Sequence, residues 1–275
     1  MRELERDDLP SPLSAPLALV GRGRVGRSLA RAAEDAGIEV TLVPGDAVGA
    51  LAGAAVLLCV PDDAISEAAA RVAKQAPALV GHVSGAGTLD LLATAAERRA
   101  GTFSLHPLQT FPGDETAVKG TPAAIAGSEP ESLEYARALA AALGMRPFEV
   151  PEESRATYHA AAAMASNLLV ALEESAAELL ERIGVADARE LLAPIVRSTT
   201  ANWVELGPAA LTGPIARGDR ATVQRHRIAL ADTAPELVRV YDALAMRAEA
   251  VAWELMRGGS TSEAEEPPVK WSASP

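Results

Sequence analysis

The chain has 275 residues, 49% of them hydrophobic and 23% charged, with a formal net charge of -12 and one cysteine. That length supports one large domain or two ordinary ones with an ample core. The acidic balance, with a pI near 4.9, argues against a nucleic-acid or anionic-membrane partner.

The opening stretch, MRELERDDLPSPLSAP, is charged and Pro-rich and lacks the apolar core of a secretory signal; residues 1–15 are expected to form a disordered tail. A short apolar strand, LALV, then runs into GRGRVG and a helix over residues 28–36 ended by Gly37, followed by the β-rich run IEVTLV. This is the pattern of a dinucleotide-binding βαβ unit. Gly21 serves the tight turn, Gly23 lets the backbone approach a pyrophosphate, and Gly26 permits close packing of helix on strand. The phosphates would lie on the helix N-terminus, so residues 21–26 (Gly21, Arg22, Gly23, Arg24, Val25, Gly26) are expected to bind the cofactor.

The connection PGDAVGALAG is too short for a helix plus a strand, so the first half of the sheet reads as abbreviated. AAVLLCV follows, then a helix to about residue 75, ALVGHV, a helix over 89–99, TFSL, PAAIAG, a helix over 131–143 and PFEV. β-rich runs alternating with helical patterns predict a parallel sheet covered on both faces: an α/β Rossmann-like doubly wound domain over residues 16–150. Cys59, inside AAVLLCV, has no partner for an internal disulfide and reads as a buried small hydrophobe, in keeping with a reducing cytoplasm.

From Pro151 helical patterns dominate, which predicts an all-α domain over 151–257; residues 258–275 form a polar, Pro-rich tail expected to be disordered. No run is long and apolar enough to span a bilayer. The longest helical pattern begins at Ser154, and its Ala-rich part, residues 159–172, has too little polar face for a surface helix and is expected to be buried on most sides.

Several stretches together resemble the Rossmann-like proteins that carry a helical domain of unknown function called DUF2520: VGRGRVGRSLARAAEDAG, LLCVPDDAI, GHVSGAGTLDLL, FSLHPLQTF, YHAAAAMASNLL and LTGPIARGDRATVQRHRIAL. The resemblance implies the wider superfamily of 6-phosphogluconate dehydrogenase, ketopantoate reductase, pyrroline-5-carboxylate reductase and prephenate dehydrogenase, in a bacterial cytoplasmic setting. It favours NADP as cofactor, with NAD as the alternative, and a homodimer formed through the helical domain. Relatives usually carry a longer segment after the second strand, often with an Arg for the 2'-phosphate; here Pro44, Gly45 and Asp46 follow at once. Asp46 lies near the usual position of the acid that takes the ribose hydroxyls, while Arg22 and Arg24 could meet a 2'-phosphate.

Reduction of a carbonyl or imine by a nicotinamide needs a proton donor at the forming anion. Ketopantoate reductases use a Lys, but Lys74, Lys119 and Lys270 all lie outside the long helix. Attention moves to histidine. On one continuous helix Ser166 would fall about 20° and Asn167 about 80° from His159, so the three could edge one cleft, with His159 as proton donor, Asn167 as orienter and Ser166 on the substrate. A satisfied core histidine and plain loop hydrogen bonds are the competing account. His106 follows TFSL at the C-terminal end of a strand, where open α/β folds place their ligands. Ser84 occupies the equivalent place on its own strand, as a donor to substrate or nicotinamide or as a turn and cap residue. Val60, Pro61 and Asp62 could line the cofactor, or Asp62 could cap the next helix. His82 is expected to be structural.

TGPIARGD reads as a loop in which Gly213, Pro214 and Gly218 break any helix. Thr212, Arg217 and His226 are expected near the substrate, with the Arg217 fork suited to a carboxylate; a surface contact to Asp219, itself capping the next helix, is the alternative. Four scattered histidines and one cysteine give no metal-ligand spacing. The reading that follows is an NAD(P)-dependent oxidoreductase acting on a small carboxylate-bearing 2-oxo acid or imine, ketopantoate-like at its sharpest. A non-catalytic dinucleotide-binding sensor is the alternative.

Overall fold

The seven apolar runs form one sheet in the computed structural model, which describes residues 13–46, 51–113 and 115–258. The strands β1 (Leu17–Val20), β2 (Val40–Val43), β3 (Ala55–Leu58), β4 (Leu79–His82), β5 (Gly101–Pro107), β6 (Pro122–Gly127) and β7 (Arg146–Glu149) lie in the order β2-β1-β3-β4-β5-β6-β7. Neighbouring strands are parallel except that β6 runs antiparallel to β5, pairing His106 with Ala124. Parallel return requires a crossover, usually a helix, and the described residues between Pro107 and Pro122 contain none.

β1 and β3 are buried at every position, and their apolar residues serve both faces. Leu17, Leu19, Leu57, Phe103 and Ile125 pack with α1 (Arg24–Asp35) and α4 (Pro130–Ala142) on one side. Ala18, Val20, Val56, Leu58 and Val80 pack with α2 (Ile65–Ala73) and α3 (Ala93–Ala96) on the other. α3 is shorter than the helix expected over 89–99, because residues Leu89–Leu92 wind as a 3-10 turn. Cys59 is buried, and burial pushes its thiol up to about 12, so it is the inert apolar residue expected.

The usual dinucleotide-binding order places a further strand outside the second, whereas among the described residues β2 is an edge strand, in keeping with the abbreviation expected after it. The connection instead sends Leu51 into the core beside α2.

The chain divides into two compact units, residues 1–166 and 167–275. The division falls inside the pattern expected to be one helix: α5 (Arg155–Ala165) stops at Ser166, whose φ of -131° and ψ of -85° are not helical, and α6 (Asn167–Arg182) follows. The second unit adds α7 (Ala188–Leu206), a single turn α8 (Gly213–Ala216), α9 (Arg220–Thr233) and α10 (Val238–Gly258). Its described residues are helical or loop, as expected. Arg182 ties α6 to Glu236 at 2.6 Å, and Arg227 grips Asp242 with two hydrogen bonds of 2.8 and 3.0 Å. Burial over residues 159–172 differs from expectation, with Met164 67%, Leu168 57% and Val170 62% exposed. The disordered tails expected at 1–15 and 258–275 fall almost wholly outside the described residues.

Candidate functional site

The β1–α1 turn is built by two glycines, Gly21 packed on the Cys59 backbone and Gly26 packed on that of Gly21. Gly21 has φ +121°, and a Cβ there would lie 2.2 Å from the Cys59 carbonyl oxygen; one on Gly26 would lie 1.9 Å from the Gly21 carbonyl oxygen. Gly23 differs. It caps α1 with extended backbone and no side-chain hydrogen bond, and a Cβ there would meet nothing within 4 Å. The first amides of α1 therefore stand uncapped beside open space, the arrangement that accepts a phosphate. Val60 lies alongside, its Cγ1 3.3 Å from the place of a Gly21 Cβ. Arg22 and Arg24 are exposed and Val25 is half-buried. Arg22 Nη2 reaches the Leu42 carbonyl at 3.4 Å, which brings its charge to the end of β2. These residues fit a dinucleotide's pyrophosphate, with a cation in reach of the ribose end.

Beyond the C-terminal ends of β3, β4 and β5 lies a second cluster. The Ser84 hydroxyl donates to Asp62 Oδ2 at 2.7 Å and accepts from the Gly87 amide at 2.8 Å. Its proton is thus committed within the protein, and Asp62 serves as that acceptor rather than as a helix cap, the cap position being Pro61. His82 is wholly buried, with Nδ1 accepting from the Ser84 amide at 3.2 Å and Nε2 3.2 Å from the Thr88 carbonyl. Burial, then the nearby Arg155 charge, lowers its pKa to about 4. It is neutral and structural, as expected.

His106 and His159 meet over this turn. A Cβ on Gly85 would stand 2.5 Å from His159 Cδ2 and 2.8 Å from His106 Nε2, so the absence of a side chain admits both rings. The ring centroids are 6.0 Å apart. His106 Nδ1 is 2.7 Å from the Tyr158 hydroxyl. Burial, followed by the charges of His159 and Arg155, lowers His106 to about 4, while burial raises Tyr158 to about 12. At neutral pH one proton is shared along this bond between a neutral imidazole and a neutral phenol.

Two further members of the cluster, Arg155 and Glu152, escape sequence reasoning together with Tyr158. Arg155 is 0% exposed and donates from Nη2 to the Ser84 carbonyl at 2.9 Å and from Nε to the Gly87 carbonyl at 3.2 Å. Glu152 accepts from the Leu89 amide at 2.7 Å.

The remaining expected residues lie on other elements. Ser166 ends α5 and bonds the Ala162 carbonyl at 2.7 Å; Asn167 begins α6. Placing them on one face with His159 requires an unbroken helix, and α5 and α6 are separated at Ser166. In the second unit, residues 213–216 make a helical turn where a loop was expected, started by Pro214 behind Thr212 and ended by Gly218 at φ +70°. Asp219 caps α9, accepting from the Thr222 amide at 3.0 Å, and this hydrogen bond leads in holding its carboxyl low. Arg217 lines an apolar cleft of about 320 Å³ with Trp253 and Met256. His226 Nδ1 is 2.8 Å from the Tyr241 hydroxyl. No group of three or more metal-ligating side chains occurs among the described residues.

A mostly parallel sheet covered on both faces, a glycine turn opening its first helix and a helical C-terminal region define a Rossmann-like protein. Residues 121–248 match the model of the family described as Domain of unknown function (DUF2520), a match that starts beside β6. No curated protein matches it. Among solved structures it resembles a Bacteroides fragilis protein named provisionally as an NADP oxidoreductase, with 24% identity, TM-score 0.73, and 87% of this chain and 100% of that one covered. It also resembles an NADH-preferring ketol-acid reductoisomerase from an uncultured archean, with 18% identity, TM-score 0.61, and 94% and 92% covered. A third is a reductive aminase from Aspergillus terreus in complex with NADPH and ethyl levulinate, with 17% identity, TM-score 0.62, and 89% and 99% covered.

Proposed function

We propose that the chain is an NAD(P)-dependent oxidoreductase that reduces a small carboxylate-bearing 2-oxo acid or imine, with a ketopantoate-like substrate the sharpest candidate. The observation that carries the reading is the pairing of an open cradle at Gly23 with a histidine and tyrosine cluster at the ends of β4 and β5. The nicotinamide would supply a hydride to the carbonyl or imine carbon. The chain's own residues hold the pyrophosphate on the α1 amides and place His159 as proton donor to the forming oxygen or nitrogen anion. His106 and Tyr158 orient the neighbouring ring and bound the space. NADP is the preferred cofactor in this reading, supported by Arg22 at the end of β2. A cytoplasmic setting agrees with the lone, buried thiol.

A homodimer through the second unit belongs to the same proposal. Among its described residues the buried hydrophobic ones are Ala177, Ala188, Val223, Leu230, Ala234 and Ala245, a slight core for such a length of helix. Leu191, Ile195 and Leu206 are 60%, 62% and 57% exposed on one face of α7.

Thermal unfolding with saturating NADPH, NADH, NADP and NAD tests the cofactor reading, because a ligand bound only by the folded state raises its stability. At a hundredfold excess over Kd the gain is about 2.7 kcal/mol, or roughly 5–10 °C for a chain of this size. NADPH is expected to shift Tm more than NADH, and Arg22→Ala to remove the difference. A folded sample that responds to none of the four refutes the proposal. The sensor alternative is favoured by the edge position of β2, and would give a shift without turnover of any 2-oxo acid or cyclic imine.

A further inference from the structure

We infer that Arg155 is the positioning residue of this site: its guanidinium bolts α5 to the turn at residues 84–89 and so sets Tyr158 and His159 against His106 and Gly85. The role rests on the oxidoreductase reading above.

A fully buried arginine is rare and costly unless its charge and donors are met. Here Nε and Nη2 of one planar fork reach two carbonyls three residues apart, Gly87 and Ser84, while the buried Nη1 has no hydrogen-bond partner. A lysine presents a point charge and cannot hold both in fixed orientation. Glu152 takes the Leu89 amide at 2.7 Å, so the entrance to α5 grips the turn at both ends. From below, Asp62 and His82 hold the same turn through Ser84 and Thr88. The turn is thus a rigid platform, and α5 is referenced to it through Arg155.

His159 follows Arg155 by one helical step of four residues and shares its face. Its ring rests where a Gly85 Cβ would stand, and the adjacent Tyr158 meets His106 at 2.7 Å. Both contacts depend on the height and rotation of α5 over the turn. Rotating α5 by a fraction of a residue would break the hydrogen bond to His106 and drive His159 into the turn or away from it. The Arg155 charge also disfavours protonation of His106 and His82, in line with their low pKa.

The test is imidazole NMR on the full chain labelled at histidine, comparing wild type with Arg155→Gln and Arg155→Lys. Wild type is expected to show a hydrogen-bonded His106 Nδ1 and a titration near about 4. Glutamine removes both charge and fork; lysine keeps the charge. If Arg155 positions α5, both variants lose the Nδ1 hydrogen-bond signature and His106 titrates closer to the ordinary value of about 6.5. If its influence were only electrostatic, lysine would restore the wild-type spectrum, which overturns the inference. A wild type without the Nδ1 hydrogen bond overturns it with no variant needed, so poor folding of either variant does not shield the proposal. NADPH affinity, measured by fluorescence, is expected to stay within about twofold of wild type in both variants, since the α1 cradle is untouched. A tenfold loss in the lysine variant would instead assign Arg155 to the cofactor site. Failure of wild type to bind NADPH would sink the oxidoreductase reading while leaving the histidine spectra to judge the clamp.

Discussion

A methyl group added at Gly23 and one added at Gly26 are expected to have opposite consequences. At Gly23 the backbone is extended (φ -73°, ψ 179°) and nothing lies within 4 Å of the new Cβ. Reduced freedom of the unfolded chain favours alanine by about 0.4–1 kcal/mol, while the weaker helix cap costs a similar amount, roughly 0.5–1 kcal/mol. Stability should stay within about 0.5 kcal/mol of wild type, a change in Tm of about 2 °C or less. The methyl nonetheless occupies the space through which a pyrophosphate approaches the α1 amides, and NADPH affinity should fall more than tenfold, or about 1.4 kcal/mol. At Gly26 the methyl stands 1.9 Å from the Gly21 carbonyl oxygen and 3.3 Å from Cys59 Cβ. A backbone oxygen cannot rotate aside, so the cost lies at the upper end of overpacking, about 3 kcal/mol, lowering Tm by roughly 6–12 °C. Thermal melts followed by circular dichroism and NADPH titration separate the two effects. Wild-type affinity in Gly23→Ala would refute the cradle, and wild-type stability in Gly26→Ala would refute the close packing.

Acid should weaken the first unit through His82. Folding lowers its pKa to about 4 from about 6.5 in the unfolded chain. The unfolded state therefore binds the proton first, and stability falls as pH drops from 6.5 toward 4 while remaining flat for this group above 7. At pH 5 the loss from His82 is about 2 kcal/mol; denaturant unfolding of His82→Gln at pH 7 and pH 5 should show a loss smaller by that amount, and equal losses would contradict the linkage. In the second unit, Leu191→Glu with Ile195→Glu charges the exposed face of α7. Light scattering should give the mass of two copies for wild type and of one for the variant; a wild-type monomer would remove the dimer.

The parts of the fold that were legible are those written in local sequence. The four-residue cores of β1 and β3 are apolar without interruption, and the glycine spacing locates the turn between β1 and α1. The direction of β6 was not legible, because it depends on the connection from β5 rather than on the strand itself. The stop at Ser166 carries no glycine or proline to announce it. The site was half legible. His106 and His159 stood out as polar residues at a strand end and on an apolar helix. Arg155 and Glu152 did not, since their partners are backbone groups 63 to 71 residues away and leave no trace in spacing. A clue existed in the four-residue interval from Arg155 to His159, which puts both on one helical face.

Among the described residues β2 is a margin of the sheet, and margins invite foreign chains to pair with them. Leu17 donates to the Glu39 carbonyl and Gly21 to the Val43 carbonyl, so the carbonyl of Leu42 between them points away from β1. Arg22 covers that carbonyl. At the opposite margin, Arg146 spends its amide on Thr121, which turns position 147 outward, and the residue there is a proline with no amide to offer. An intruding strand meets a covered acceptor on one border and a missing donor on the other. Growth of this sheet from molecule to molecule is opposed at both ends.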